Sequence, residues 1–393
     1  MIYLLVFILL LIPVVKYDWM AKTGGENKWY YLNLVVLILL AGLRYRVGSD
    51  TLIYMSMFED CPKLDELKYF DFAEAQYNPL WYILNSISRS IFDSFVFFQI
   101  IHATIVNTVF FWFFRKYCPL YYFSAILLYY IGYFCYFNME ILRESLCICI
   151  LLLSIPCYMR KQWLIYYTIS IMALFFHYSA VIMLFMPLLQ LFKKPSWKWQ
   201  LVLFLAVILF MKVINVPALL LEVLGLNEQL TLLLKNYLDL ERSLMGMLSE
   251  VLKYLPIFIL ICVRESNEIS DKYDFTPLLM GVVVLYSMAM GIGGFARFIN
   301  YFVPFIIIYL VNTIYKILTF DFKRKQITFL SSMLALLLLL VNMTSYYLSD
   351  VSEVYPNTRA YVRCFPYYSV LSPKIDEHRE RFVENDREVV INF

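Results

Sequence analysis

A chain of 393 residues that is 62% hydrophobic and only 16% charged is not a soluble domain, since soluble domains run near about 45–50% and 25%. Its net charge of +3, with no clustered basic face, excludes a nucleic-acid partner. The apolar residues come in long unbroken runs, so the chain reads as all-α and polytopic: a helix needs about 20 apolar residues to cross roughly 30 Å of hydrocarbon.

The run Ile2 to Val15 has no basic stretch before it and no small-residue cleavage site after it, so a retained helix is expected there rather than a signal peptide. Spans are expected at about 2–16, 29–45, 94–114, 119–137, 140–157, 162–177 and 178–192. Further spans are expected at about 199–215, 249–263, 276–292, 297–316 and 327–347. That makes about twelve membrane helices. Pro79 to Phe92 is too short to cross and carries Asn85, Ser86, Ser88, Arg89 and Ser90, so it reads as an interfacial or re-entrant helix.

Charge tests that reading. Lys16, Lys22 and Lys28 lie in the first loop, Arg115 and Lys116 after the third span, and Arg160 and Lys161 after the fifth. Lys193, Lys194 and Lys198 follow the seventh, and Lys323, Arg324 and Lys325 precede the last. All fall on one side only if Pro79 to Phe92 does not cross, and the positive-inside rule then puts both termini outside. The expected organisation is one transmembrane domain over 1–348, with outer pieces at about 44–78 and 216–248, then an outer-side tail over 349–393. The 216–248 piece, with Glu222, Glu228, Asp239 and Glu241, reads as an amphipathic surface helix. No Walker motif or Rossmann glycine pattern appears, which argues against an ATP-driven pump.

Cys118, Cys135, Cys147, Cys149, Cys157 and Cys262 lie in or beside apolar runs and read as small hydrophobes. Cys61 and Cys364 lie in outer polar pieces, where a disulfide between them is one option in an oxidising compartment. No spacing resembles a metal site, and no cofactor is expected.

Charges at spans cost a few kcal/mol, so they need a reason. Four groups stand at outer ends of spans. The first is Gly42-Leu43-Arg44-Tyr45-Arg46-Val47-Gly48-Ser49-Asp50-Thr51. Gly48 permits a tight turn there, and Asp50 can cap a following helix or hold an Arg. The second is Asn138 to Ser145, where a continuous helix puts Glu140, Arg143 and Glu144 on one face. The third is Phe176-His177-Tyr178-Ser179; His102, inside the third span, has weaker context. The fourth is Gly291-Ile292-Gly293-Gly294-Phe295-Ala296-Arg297, where glycine-rich backbone beside an Arg can receive an anion. Each has a plain structural alternative: a helix end, an ion pair, a bonded histidine or a turn. Their coincidence on one side is what counts. Arginines suit a pyrophosphate, and a carboxylate or His suits proton removal from a hydroxyl. A lipid-linked sugar carries both.

The chain resembles the EpsG family, the Wzy-like polymerases of bacterial surface polysaccharides. The resemblance rests on Gly42-Leu43-Arg44 with Gly48 and Asp50, Asn138 through Arg143, Phe176-His177-Tyr178-Ser179, and Gly294-Phe295-Ala296-Arg297. Glu144 stands where the family often has Gln, and Cys147 where a small Ala is common.

The resemblance implies a GT-C-like, metal-independent glycosyltransferase of the bacterial inner membrane. It would join repeat units of a capsule, exopolysaccharide or O-antigen carried on undecaprenyl pyrophosphate at the outer face. An inverting transfer is expected, with Arg143 and Arg297 on the pyrophosphate and Arg44 or Arg46 assisting. His177 is the first-named base, with Glu140 and Asp50 as rivals. Tyr45, Tyr54, Tyr133, Tyr136 and Tyr178 are candidates to stack on sugars. A chain-length regulator and a flippase are the further partners considered. The alternatives are an O-antigen ligase, a flippase or other transporter, and a membrane O-acyltransferase.

Overall fold

A computed structural model describes residues 1–72, 75–191, 196–213, 244–269, 271–291, 293–319, 325–349 and 359–381. Among these, helices dominate and no strand occurs. Among the described residues, five helical stretches are long and apolar enough to cross a membrane: Ile2–Trp19, Phe95–Tyr117, Leu142–Met159, Gly294–Thr319 and Gln326–Leu348. Shorter apolar helices accompany them. The chain is a multi-pass membrane protein. It divides into two compact units, one of 1–184 with 343–393, the other of 185–342.

The first unit is built on α1 (Ile2–Pro13), α2 (Glu26–Gly42), α3 (Thr51–Asp60), α4 (Pro79–Ile91), α5 (Phe95–Tyr117), α6 (Tyr122–Gly132), α7 (Leu142–Met159) and α8 (Trp163–Leu174). Gly42, at the end of α2, lies on Ile100 near the start of α5; a Cβ there would meet Ile100 Cγ1 at 2.8 Å. Arg115, at the end of α5, bonds Asn27 at the start of α2. The two helices are therefore antiparallel. His102 bonds the Leu142 carbonyl at the start of α7, and Cys147 bonds the Ala173 carbonyl at the end of α8. So Gly42, His102, Leu142 and Ala173 share one end of the unit. Lys28, Arg115 and Lys116 mark the other. Arg160 and Lys161 follow α7, whose length carries them roughly 27 Å from its start.

α4 runs along the first end instead of through the unit. Leu80 N–H and Asn78 Nδ2 donate to Phe175 and Leu174. At its far end Arg89 donates to the Glu59 and Cys61 carbonyls, and α5 begins four residues after the helix stops. One set of buried polar groups is paired across the core: Asn107 Nδ2 donates to Asn138 Oδ1 at 2.8 Å, and Asn138 Nδ2 to the Tyr129 hydroxyl at 2.8 Å. Such pairing offsets the cost of burying amides. Phe110 stacks on Tyr129 at 4.7 Å beside them.

The second unit holds α10 (Trp197–Val213), α11 (Leu244–Ser266), α12 (Thr276–Gly291), α13 (Val303–Thr319) and most of α14 (Lys325–Leu348). Phe204 stacks on Tyr254 at 4.7 Å over Met280 and Val283. Arg264 lies 4.2 Å over the Tyr309 ring and bonds Asp271, which also takes Lys316.

The span expected at 178–192 is not a continuous α-helix. It is a 3-10 turn over Tyr178–Val181, a short α9 (Ile182–Phe185) and a second 3-10 turn over Met186–Leu191. Pro187 has no N–H for a helical bond, which favours the interruption. The surface helix expected at 216–248, with Glu222, Glu228, Asp239 and Glu241, falls almost wholly outside the described residues, as do Lys193, Lys194, Lys323 and Arg324.

Candidate active site

The segment after α2 packs on the turn before α7. Gly48 has φ +111°, and a Cβ there would meet the Met139 carbonyl oxygen at 2.3 Å. Only glycine accepts both the conformation and the approach. Asp50 follows at the N-terminus of α3, half-exposed, and its side chain makes no capping bond to that helix.

After α6 the chain makes a π-turn over Tyr136–Glu140 and breaks at Ile141 (φ −96°, ψ 55°) before α7 starts. The continuous face expected for Glu140, Arg143 and Glu144 is therefore absent. Glu140 belongs to the turn and Arg143 to the first turn of α7. π-turns interrupt helices preferentially at functional sites.

Glu140 is 2% exposed. The Tyr346 hydroxyl donates to its Oε2 at 2.5 Å, and the Cys364 thiol to its Oε1 at 3.5 Å. Arg363 donates to the Tyr346 hydroxyl and stands 4.0 Å from Oε2. Asp50 is near enough to add its charge to this carboxylate. A bond with Cys135, then burial, holds the Cys364 thiol well above its ordinary value, so it stays a donor. Both cysteines are free, as is Cys61, which sits against Ser86 instead. The Cys61–Cys364 disulfide is not formed.

Tyr346 and Arg363 carry no motif that marks them in the sequence, and Cys364 stands there only as a disulfide candidate. Residues 359–381 fold back onto the segment after α2. Tyr45 and Gly48 donate to the Tyr368 and Arg363 carbonyls, both at 2.8 Å, and Val370 donates to Leu43 at 2.9 Å. Arg379, 2% exposed, donates to the carbonyls of Val362, Arg46 and Pro366. Arg46 itself is paired with Glu380. Only the charge and position of these residues are visible in sequence; the contacts that tie them to Glu140 and to Arg46 span more than 200 residues.

The remaining site residues divide by environment. Arg44 is 1% exposed and donates to the Ala41 and Val47 carbonyls of its own turn at 2.6 and 3.1 Å. It organises that turn and offers no open face to a pyrophosphate. Arg143 differs. Its guanidinium lies 4.4 Å over the Tyr77 ring, its buried Nε has no partner, and among the described residues it makes no ion pair. An aromatic face holds a cation without neutralising it. The guanidinium stays available to an anion at the positive end of α7.

His177 is half-buried. Its Nδ1 accepts from the Ser179 N–H at 3.1 Å and lies 2.7 Å from the Ser179 hydroxyl. An accepting Nδ1 places the neutral ring's proton on Nε2. His177 therefore presents a donor here, and the general-base role expected first for it does not fit. His102 is buried on Leu142 and Ser145 and is structural. Arg297 belongs to the second unit, exposed on the 3-10 turn Gly293–Phe302. Of the candidate stacking residues, Tyr54 is buried on Trp81, Tyr136 packs on Tyr346, and Tyr178 is exposed.

A model of the EpsG family matches residues 27–367. The match spans the segment after α2, the π-turn, Arg143, His177, Arg297, Tyr346 and Arg363. No curated protein and no solved structure matches the chain. The chain belongs to the EpsG family.

Proposed function

From this membership we infer a Wzy-like polysaccharide polymerase that works as a metal-independent, inverting glycosyltransferase. The donor is a growing glycan on undecaprenyl pyrophosphate, and the acceptor is a sugar hydroxyl of the next lipid-linked repeat unit. The observation that carries the reading is Arg143. A guanidinium fixed on an aromatic ring, with no ion pair among the described residues, suits a pyrophosphate.

In the transfer, the acceptor oxygen bonds to the anomeric carbon while the carbon–oxygen bond to the pyrophosphate breaks. The leaving group gathers negative charge, and Arg143 stabilises it as it forms. The hydroxyl proton goes to Asp50, the half-exposed carboxylate of the cluster. Glu140 is a poorer base because both its oxygens already accept donors. It holds Tyr346, Arg363 and Cys364 in place instead. His177 donates from Nε2 to a substrate oxygen. Arg297 is assigned to the pyrophosphate from its motif alone. By the positive-inside rule the end with Lys28, Arg115 and Lys116 faces the cytoplasm, so the Arg143 end faces outward.

Purified protein supplied with a lipid-linked repeat unit should form a ladder of longer lipid-linked products. Asp50→Asn should leave binding of the unit intact and lower turnover by about a hundredfold or more. A ladder of undiminished rate from Asp50→Asn would remove Asp50 from the chemistry.

A further inference from the structure

At the opposite end of the first unit, α2 and α5 border a cleft of about 440 Å³. Leu34 from α2 and Thr108 and Trp112 from α5 line it, with the Tyr30 and Tyr31 rings. On α5, residue 112 follows 108 by four positions, and 115 and 116 follow 112 by three and four, so Trp112 neighbours all three others along one side of the helix. That side ends in two cations. Arg115 lies 4.7 Å over the Tyr30 ring and 5.8 Å from the Tyr122 ring, with one N–H group on Asn27 Oδ1 at 2.6 Å. A guanidinium has five such donors. Lys116 Nζ lies 4.6 Å over the Trp112 ring. Among the described residues neither cation pairs with a carboxylate.

The C-terminal dipole of α5 explains why cations are tolerated there. It does not explain why they crown an aromatic-walled cleft. The surface beside that cleft is apolar and open, with Tyr31 59%, Leu32 44% and Val35 50% exposed. In a multi-pass protein such a surface meets acyl chains, and Trp and Tyr mark the interfacial level. A ligand that fits has an anionic head and an apolar tail. We propose that this cleft is a binding site for an anionic phospholipid of the surrounding bilayer, its phosphodiester held by Arg115 and Lys116 and one acyl chain laid along Leu34, Thr108 and Trp112. The site is distinct from the catalytic end, since it sits at the far end of the same two helices. Basic pockets between membrane helices on the cytoplasmic side favour such head groups.

The test is native mass spectrometry of the full chain, delipidated and then titrated with phosphatidylglycerol, phosphatidylcholine or inorganic phosphate. The wild type should bind phosphatidylglycerol about tenfold or more tightly than phosphatidylcholine, the scale expected of two basic residues at an anionic lipid. The double variant Arg115→Gln with Lys116→Gln should lose that preference, and Arg115→Lys with Lys116→Arg should keep much of it. Trp112→Ala leaves both charges and should weaken phosphatidylglycerol binding severalfold, which gives a reading even if the double variant does not fold. Equal binding of the two lipids, a preference that survives the double variant, or unchanged binding in Trp112→Ala would overturn the proposal. Displacement of the lipid by millimolar inorganic phosphate would also overturn it, by showing a site for free anion.

Discussion

Gly48→Ala is the perturbation whose cost the geometry sets most sharply. The backbone there has φ +111°, and the added Cβ would stand 2.3 Å from the Met139 carbonyl oxygen. Ordinary contact begins about 1 Å further out, so backbone must move against backbone. Gly24 supplies the control: its φ is +92°, but a Cβ would meet nothing within 4 Å. Both substitutions carry the conformational cost of a side chain at positive φ, about 1–3 kcal/mol. Only Gly48→Ala adds the clash, which overpacking data put at about 1–3 kcal/mol more. The extra cost also has a functional direction. It pushes the π-turn that carries Glu140 away from Asp50, and a displacement of about 1 Å near reacting groups costs on the order of a hundredfold in rate. Thermal unfolding of the purified variants in detergent, with polymer yield measured in parallel, reads both effects. Gly48→Ala should unfold several degrees below Gly24→Ala and should lose most of its polymer. Equal stability and equal polymer for the two would refute the close approach of these segments.

Other expectations follow from the same contacts. Arg379→Ala removes a buried guanidinium that donates to three half-buried carbonyls and should cost about 2–3 kcal/mol. Arg381→Ala removes only an exposed pair with Glu377 and should stay within about 0.5 kcal/mol in the same unfolding assay. Tyr77→Ala should lower the polymerisation rate about tenfold by releasing the Arg143 guanidinium, while Tyr77→Phe keeps the ring and should stay near wild type. With Asp50 as base, activity falls as pH drops because the carboxylate takes up a proton. That acidic limb should persist in His177→Gln and vanish in Asp50→Asn; its disappearance in His177→Gln would return the base role to His177.

The helical, membrane-spanning class was legible in composition alone, because long apolar runs leave few other structures. The grouping of Gly48, Asn138 to Arg143 and His177 at one end was legible too, because each lies where an apolar run stops. The break at Ile141 was not. Helical spacing assumes a regular 3.6-residue turn, and nothing local in Asn138-Met139-Glu140-Ile141 announces a π-turn. His177 looked like a base by residue type, but its role turns on which ring nitrogen Ser179 engages, a matter of backbone geometry two residues on. The roles of Arg44 and Arg143 were likewise indistinguishable in sequence. One is buried and donates to carbonyls of its own helix end, and the other is held over the ring of Tyr77, 66 positions away in the chain. The fold-back of 359–381 depends on backbone bonds to residues 43–48, and such bonds leave no side-chain signature.

The central claim is that Arg143 receives the pyrophosphate in a polymerisation. It is tested most directly in cells deleted for this chain and complemented with wild type or with Arg143→Ala at equal protein level. Surface polysaccharide is separated on gels, and lipid-linked oligosaccharides are measured by mass spectrometry. The account predicts loss of the polymer ladder and accumulation of a single repeat unit on its lipid carrier at the outer leaflet. Long polymer that stays on its carrier and never reaches its final anchor would show a ligase, repeat units trapped on the inner leaflet would show a transporter, and a normal ladder would show that Arg143 is not needed; each would contradict it.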